Sequence, residues 1–198
     1  NVVLIICKKK MLNEKNNQLP PIKIKIELSK NLKPGDLEDL CDATETAIKE
    51  GGGFGWLNVP SRKTLKDYWL GVLTVPDREL IIGRVDNVVA GSCQIIKPTR
   101  NNEAQKLLCN LTTFFIAPWA RGYGISPKLI LFAEKTAEKL GYQVITLDVR
   151  DTQKRAIEIY EQNGFKKIGI NPFYAKVSDK FVSGFYYYKN INENIIKG

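Results

Sequence analysis

A short loop with two glycines and an arginine, Arg121-Gly122-Tyr123-Gly124, is the stretch most suited to binding chemistry. The residues before it, 107–116, are rich in β-branched and aromatic side chains, which predicts a buried strand. Ser126-Pro127 after it is typical of a helix start, with a capping hydroxyl and then proline. A glycine turn leading into a helix N-terminus gathers unpaired N–H groups, and the helix dipole and Arg121 add positive charge. The sequence therefore predicts a phosphate or pyrophosphate site.

Two common nucleotide motifs do not describe this loop. A Walker loop needs Gly-Lys followed by Ser or Thr, and the chain has no such run here. A dinucleotide fingerprint needs a third glycine three residues after Gly124, where Pro127 stands. The predicted anion site therefore belongs to another type of cofactor.

A resemblance to a known family indicates which type. The stretch PWARGYGI, residues 118–125, resembles the acetyl-coenzyme A (acetyl-CoA) pyrophosphate loop of the GNAT N-acetyltransferase superfamily. Ala156, Tyr160 and Asn163-Gly164-Phe165 follow at the distance of that superfamily's A-x-x-x-Y-x-x-x-G-F element. Segments 47–69 and 169–189 are similar to the entry loop and closing segment of the tabtoxin-resistance-like small-molecule branch. The resemblance runs from about residue 22 to residue 191.

The resemblance implies acetyl-CoA as co-substrate. Its pantetheine arm is expected along residues 113–116, and its pyrophosphate on the amides of 122–126 with Arg121. Gln153 stands where the superfamily often has asparagine, and Trp119 where it often has Gln or Arg. The residues expected at the cofactor are Phe115, Ile116, Ala117, Arg121, Gly122, Tyr123, Gly124, Ile125, Ser126, Gln153, Ala156 and Tyr160.

Amide formation requires donors for a developing oxyanion and for a leaving thiolate. The resemblance implies that a backbone N–H within residues 115–117 serves the oxyanion. It also places Tyr160 at the family's tyrosine position, where the phenol would serve the thiolate. The alternative is that Tyr160 is a core residue on one face of its helix.

The reaction also needs an acceptor for the amine proton, and two residues bear on its identity. Asn110 stands where many family members carry a glutamate, and an asparagine cannot accept a proton. Asp148 matches an aspartate common in the small-molecule branch and is the candidate base. Alternatively, Asp148 is a strand-end carboxylate that pairs with Arg150 or Lys154.

The glycine-rich run Gly51-Gly52-Gly53-Phe54-Gly55-Trp56 has two interpretations. It is either a flexible connection whose aromatic residues dock on the core, or a loop that covers the substrate. The resemblance favours a covering loop, with Phe54, Trp56 and Tyr174 expected at the substrate.

The remaining pattern predicts the order β-α-α-β-β-β-α-β-α-β-β. Alternating residues 22–28 predict a first strand, Asp86-Asn87 a hairpin turn, and 165–170 and 181–189 the last two strands. Asp151 or Thr152 is expected to cap the last helix. The expected fold class is mixed α/β (α+β): a GNAT fold with a central, mostly antiparallel, splayed sheet and helices on both faces.

Composition sets the limits of the prediction. The chain of 198 residues is 43% hydrophobic and carries +9, of which residues 1–34 contribute +6. We expect one domain over 21–191, a basic extension over 1–20 and a tail over 192–198. No run approaches the ~20 apolar residues of a membrane span, and no nucleic-acid motif supports a nucleic-acid partner. The chain has no histidine, and its four cysteines lack C-x-x-C spacing, which predicts no metal and a cytoplasmic protein.

The sequence thus predicts an N-acetyltransferase that transfers acetyl from acetyl-CoA to a primary amine of a small, amino-acid-like or toxin-like molecule. Two alternatives stay open: a protein or peptide N-acetyltransferase, and a non-catalytic acyl-CoA-binding module. A homodimer is also open.

Overall fold

A computed structural model describes residues 21–52 and 54–192 of the chain. Its elements follow the predicted order, with seven strands and four α-helices among these residues. The strands are β1 Ile24–Ser29, β2 Arg78–Val85, β3 Val88–Ile96, β4 Leu108–Ile116, β5 Val144–Arg150, β6 Lys166–Val177 and β7 Lys180–Asn190. The helices are α1 Asp36–Lys49, α2 Arg62–Thr74, α3 Ile125–Lys139 and α4 Lys154–Gln162. The predicted extension 1–20 and residues 193–198 of the tail lie outside the described part.

The strands form one mixed sheet in the order β1-β2-β3-β4-β5-β7-β6. The β4–β5 pair is parallel, and the other neighbouring strands are antiparallel. Parallel pairing joins only Leu108, Cys109 and Asn110 to three residues at the start of β5. Beyond Asn110 the two strands separate, so the sheet splays at its centre as the GNAT fold predicts.

Neighbouring residues of β2 show that helices cover both faces of the sheet. The Arg84 guanidinium, 2.6 Å from Asp36 Oδ1, faces α1. A Cβ on the adjacent Gly83 would lie 2.9 Å from Ile125 Cγ2 of α3, so glycine permits close packing of this helix. Because successive strand residues point to opposite faces, α1 and α3 lie on opposite sides.

The core on the α1 side is anchored by Trp69, which is fully buried. Its indole Nε1 donates to Thr44 Oγ1 at 3.1 Å, which joins α2 to α1. Its ring lies 6.2 Å from that of Phe115 on β4. Both helices are therefore fixed to the strand that borders the splay.

Two predicted helix caps are wrong. Helix α3 begins at Ile125 after Gly124, which has φ +71 and no capping side chain, so Ser126 lies inside the first turn. Helix α4 begins after Gln153, again without a side-chain cap. The Asp151 amide instead donates to Ser183 O at 2.9 Å, so this residue extends the strand pairing. In neither helix does the N-cap side chain accept a hydrogen bond from the first backbone amides.

Strand β6 is longer than the predicted strand 165–170. It continues to Val177 through an irregularity between Asn171 and Ala175, where three residues of β6 face only Ser183 of β7. Pro172 lies in this bulge, a position that a proline tolerates within a sheet. None of the helices in the described part of the chain is long and apolar enough to cross a membrane.

Candidate active site

The separation of β4 and β5 opens a cleft of about 1190 Å³. Its walls come from the end of α1, from β4, from the loop before α3, and from β5, α4 and β6. Typical small-molecule pockets have roughly 300–1,000 Å³. The cleft is therefore large enough for a long cofactor together with a small acceptor.

The glycine loop forms one end of this cleft. Gly122 and Gly124 have φ +82 and +71, values that favour glycine. The first turn of α3, which includes Ile125 and Ser126, lines the same end. Its amides have no side-chain cap and carry the positive end of the helix dipole, which suits a phosphate group.

The charge around the cleft is mostly positive. Among the described residues five basic side chains line it, against the carboxylates of Glu50 and Asp148. The basic residues are Arg121, Arg150, Lys154, Arg155 and Lys176. This balance suits a ligand with several phosphates.

The end of α1 contacts two residues predicted to bind the cofactor. Arg121 forms an ion pair with Glu50, and both side chains are about half exposed. Gln153 Nε2 donates to the carbonyl of Gly51. The segment after α1 thus meets the glycine loop and the start of α4 at the cleft.

Ten of the twelve predicted cofactor residues line the cleft. These are Phe115, Ile116, Arg121, Gly122, Gly124, Ile125, Ser126, Gln153, Ala156 and Tyr160. Ala117 is fully buried, and the Tyr123 hydroxyl is buried as well. Neither belongs to the described cleft lining.

Strand β4 contains a bulge in the cleft wall. Ser92 pairs with Phe115 and Gln94 with Thr112, so Thr113 and Phe114 face only one residue of β3. Thr113 has φ +50, which is unusual for a β-branched residue.

The bulge bears on the predicted oxyanion donors. Within 115–117, the Ala117 N–H donates to Ala90 O at 2.8 Å, which leaves the predicted role to the amide of Phe115, beside the bulge, or of Ile116.

A series of side-chain hydrogen bonds connects this bulge to β2, β3 and α2. Arg78 Nη1 donates to Gln94 Oε1 at 2.8 Å, and Gln94 Nε2 donates to the Tyr68 hydroxyl at 2.9 Å. That hydroxyl lies 3.4 Å from Thr113 Oγ1. Tyr68 packs against the core, and its phenol joins α2 to the bulge. Helical spacing alone carried no signal for this role.

Tyr160 lies in the cleft wall with 6% of its surface exposed. Its ring is 5.6 Å from Phe114 and 5.8 Å from Phe165. Burial, with smaller contributions from Cys93, Asp148 and Tyr174, raises the pKa of its phenol well above the usual value. The hydroxyl is therefore neutral and able to donate at physiological pH. The core and functional interpretations of Tyr160 are compatible, since it is both packed and accessible.

Asp148 and Asn110 are in different surroundings. The Asp148 side chain is exposed in the cleft and accepts a hydrogen bond from the Tyr174 hydroxyl. Its predicted alternative partner Arg150 instead donates to the Phe54 carbonyl at 3.4 Å. Asn110 donates to Thr146 Oγ1 at 3.3 Å where β4 and β5 last pair, outside the described cleft lining.

Of the three aromatic residues predicted at the substrate, two line the cleft and one lies outside its described lining. Phe54 is buried 4.9 Å from the Phe115 ring and lines the cleft, so it both docks on the core and forms a wall. Tyr174 also lines the cleft. Trp56 stacks on Phe54 at 6.0 Å and supports it from outside the described lining.

Sequence reasoning did not place Glu50, Arg150, Lys154 or Arg155 at the cofactor cleft. These residues lie at helix or strand ends that only the tertiary fold brings together. Across residues 21–52 and 54–192, no group of three or more Cys, Asp or Glu side chains could hold a metal ion.

Comparison with known proteins agrees with this geometry. A model of the acetyltransferase (GNAT) family matches residues 43–165. A relative from Azospirillum brasilense, described as an uncharacterized N-acetyltransferase in the hisH-hisA intergenic region, is 52% identical over 132 residues. The match covers 67% of this chain and 79% of the relative. The chain therefore belongs to the GNAT family of acetyl-CoA-dependent N-acetyltransferases, as its motifs predict.

Solved structures show the same fold. An N-acetyltransferase from Staphylococcus aureus Mu50 has a TM-score of 0.72 at 15% identity, covering 86% of this chain and 99% of that one. The structure of yncA from Salmonella typhimurium with its cofactor acetyl-CoA has a TM-score of 0.70 at 12% identity, covering 87% and 96%.

Proposed function

We propose that this enzyme acetylates the primary amine of a small, amino-acid-like molecule that binds beside Asp148. The observation that carries the proposal is the division of the cleft. A cationic glycine loop and helix N-terminus form one end, and an exposed carboxylate stands on β5 in the same space. We further propose that the chain belongs to the tabtoxin-resistance-like branch, on the similarity of segments 47–69 and 169–189.

The cofactor would be held by groups that fit its chemistry. Acetyl-CoA, when bound, supplies an acetyl group activated as a thioester. The amides of Gly122, Gly124 and the first turn of α3 would receive the pyrophosphate beside Arg121. Lys154 and Arg155 at the start of α4 would add charge for a further phosphate.

The acceptor would be recognised by charges on one face of β5. Asp148 attracts an ammonium group. Arg150 is two residues further along the same strand, so its side chain shares that face and could bind a carboxylate. A pair of opposite charges at this spacing suits a zwitterion such as an amino acid.

Two of the chain's groups would assist the transfer. The neutral Tyr160 phenol would donate to the departing sulfur. Asp148 would orient the amine and receive its proton, directly or through water. Asn110 would take no part in proton transfer, because an amide is not a base.

The test is a coenzyme A release assay over amino acids, aminoglycosides, polyamines and short peptides. We expect turnover with a small amine and a preference for zwitterionic acceptors. Turnover with peptides alone would establish the protein or peptide alternative. Acetyl-CoA binding without turnover of any amine would establish the non-catalytic alternative.

A further inference from the structure

Tyr174 reaches Asp148 because the chain provides a gap for its ring. Tyr174 belongs to the edge strand β6, whereas Asp148 is on β5, and β7 lies between them. The Tyr174 ring lies directly over Gly184 of β7. A Cβ built on Gly184 would overlap three ring atoms of Tyr174, so only glycine leaves room at this position.

The bulge in β6 supplies the second part of this arrangement. Asn171 pairs with Gly184 and Ala175 with Val182, so the intervening β6 residues form an excess loop that includes Tyr174. Such bulges redirect side chains. Here the redirected ring crosses β7 and lines the cleft beside Asp148.

The contact at the end of this path is a hydrogen bond from the Tyr174 hydroxyl to Asp148 Oδ2. Burial and this bond raise the pKa of the Tyr174 phenol well above its usual value, and the charge of Asp148 and nearby Tyr186 contribute while Arg150 opposes. The phenol is therefore a donor and not a base. Donation to one carboxylate oxygen leaves the other oxygen for a second partner.

We propose that Tyr174 is a positioning residue that holds the Asp148 carboxylate toward the acceptor amine, and that Gly184 is required because it seats the Tyr174 ring. The inference rests on the proposed function for the identity of that amine. It makes the β6–β7 hairpin part of the acceptor site, through a contact that the sequence pattern does not reveal.

The kinetic test uses two variants that disturb the same contact differently. Tyr174→Phe keeps the ring and removes the hydroxyl, whereas Gly184→Ala displaces the ring. Gly169→Ala is the matched control in the same hairpin, since its Cβ would lie 3.8 Å from Tyr186 in ordinary contact. We expect the KM for the best amine of the panel to rise by about 10-fold or more in both test variants, as hydrogen bonds to charged groups predict.

The KM for acetyl-CoA should stay within about twofold in all three variants, because the cofactor end of the cleft is untouched. In the Asp148→Asn background, Tyr174→Phe should have little further effect, since its partner is already changed. Loss of thermal stability without a change in amine KM would show a purely structural role and overturn the proposal.

A second measurement needs no acceptor. NMR of protein labelled at the tyrosine ζ-carbon should show Tyr174 titrating well above the ordinary ~10, and closer to that value in Asp148→Asn. Tyr187, whose pKa burial and Glu161 raise to about 12, is the internal control and should not change. An unaltered Tyr174 titration would overturn the contact, whereas an inactive amine panel would count against the proposed function alone.

Discussion

Tyr160 is a phenol that is nearly buried yet borders the cleft. Its raised pKa lies above that of a thiol, ~8.5, so complete proton transfer to a leaving thiolate is uphill and a hydrogen bond to sulfur is favoured. Tyr160→Phe should therefore lower kcat by about 10- to 1,000-fold with little change in acetyl-CoA affinity. Steady-state kinetics and a cofactor titration measure the two effects.

Tyr187→Phe is the control for this substitution. Tyr187 is also buried, but its hydroxyl donates to Glu161 of α4 at 2.8 Å and it lies outside the described cleft lining. It should lose stability while keeping kcat. If Tyr160→Phe behaved in the same way, the phenol would be only a core residue.

Single residues were predictable where a local motif specified them. Arg121 and Tyr160 belong to spaced motifs within one loop and one helix, and both line the cleft. Glu50 and Tyr68 belong to no such motif. Glu50 reaches the cleft because α1 ends against a loop 71 residues away, and Tyr68 meets Thr113 across two elements. The spacing of residues within one element does not predict contacts between elements that are distant in sequence.

At the scale of elements, the β4 bulge holds a conformation that its sequence does not favour. Thr113 has φ +50, and a β-branched residue in the left-handed region costs roughly 1–3 kcal/mol. Thr113→Gly should therefore raise the Tm by about 2–4 °C, the shift expected for ~1 kcal/mol in a chain of this size. Thermal unfolding in matched buffer measures it.

Thr112→Gly provides the comparison on the same strand. Thr112 pairs with Gln94, so glycine there relieves no backbone strain. It increases the conformational entropy of the unfolded chain and should lower the Tm. A fall in Tm for both variants would show that the Thr113 conformation is not strained.

The sequence predicted elements well and their irregularities poorly. Period-two alternation specified β1, and Asp86-Asn87 forms the predicted hairpin turn with φ +46 and +72. The β4 and β6 bulges were missed, because a bulge is defined by the residue count of the partner strand. The two cap predictions failed for a related reason. Local preference favoured Ser126, but the turn at Gly124 sets where α3 begins.

At the scale of the whole molecule, the charge around the cleft is mostly positive, and Glu50 is one of two carboxylates among the described lining residues. Glu50 caps the C-terminal end of α1, where the helix dipole disfavours a negative charge. Its carboxylate also forms an ion pair with Arg121, the residue that the proposed function assigns to the pyrophosphate. A residue that conflicts with both its helix and the expected ligand is a candidate for tuning cofactor affinity.

Glu50→Gln removes this competing carboxylate and one negative charge near the pyrophosphate end of the cleft. We expect the Kd for acetyl-CoA to fall by about 2- to 10-fold, the size that a partly exposed ion pair allows, and the effect to shrink as salt is raised. Isothermal titration at low and high ionic strength measures both. Glu45→Gln is the matched control, since Glu45 lies on the same helix and pairs with Lys49 outside the described cleft lining. An equal gain in affinity from both substitutions would indicate a general charge effect, and weaker binding by Glu50→Gln would mean that the Glu50–Arg121 pair preorganises the site.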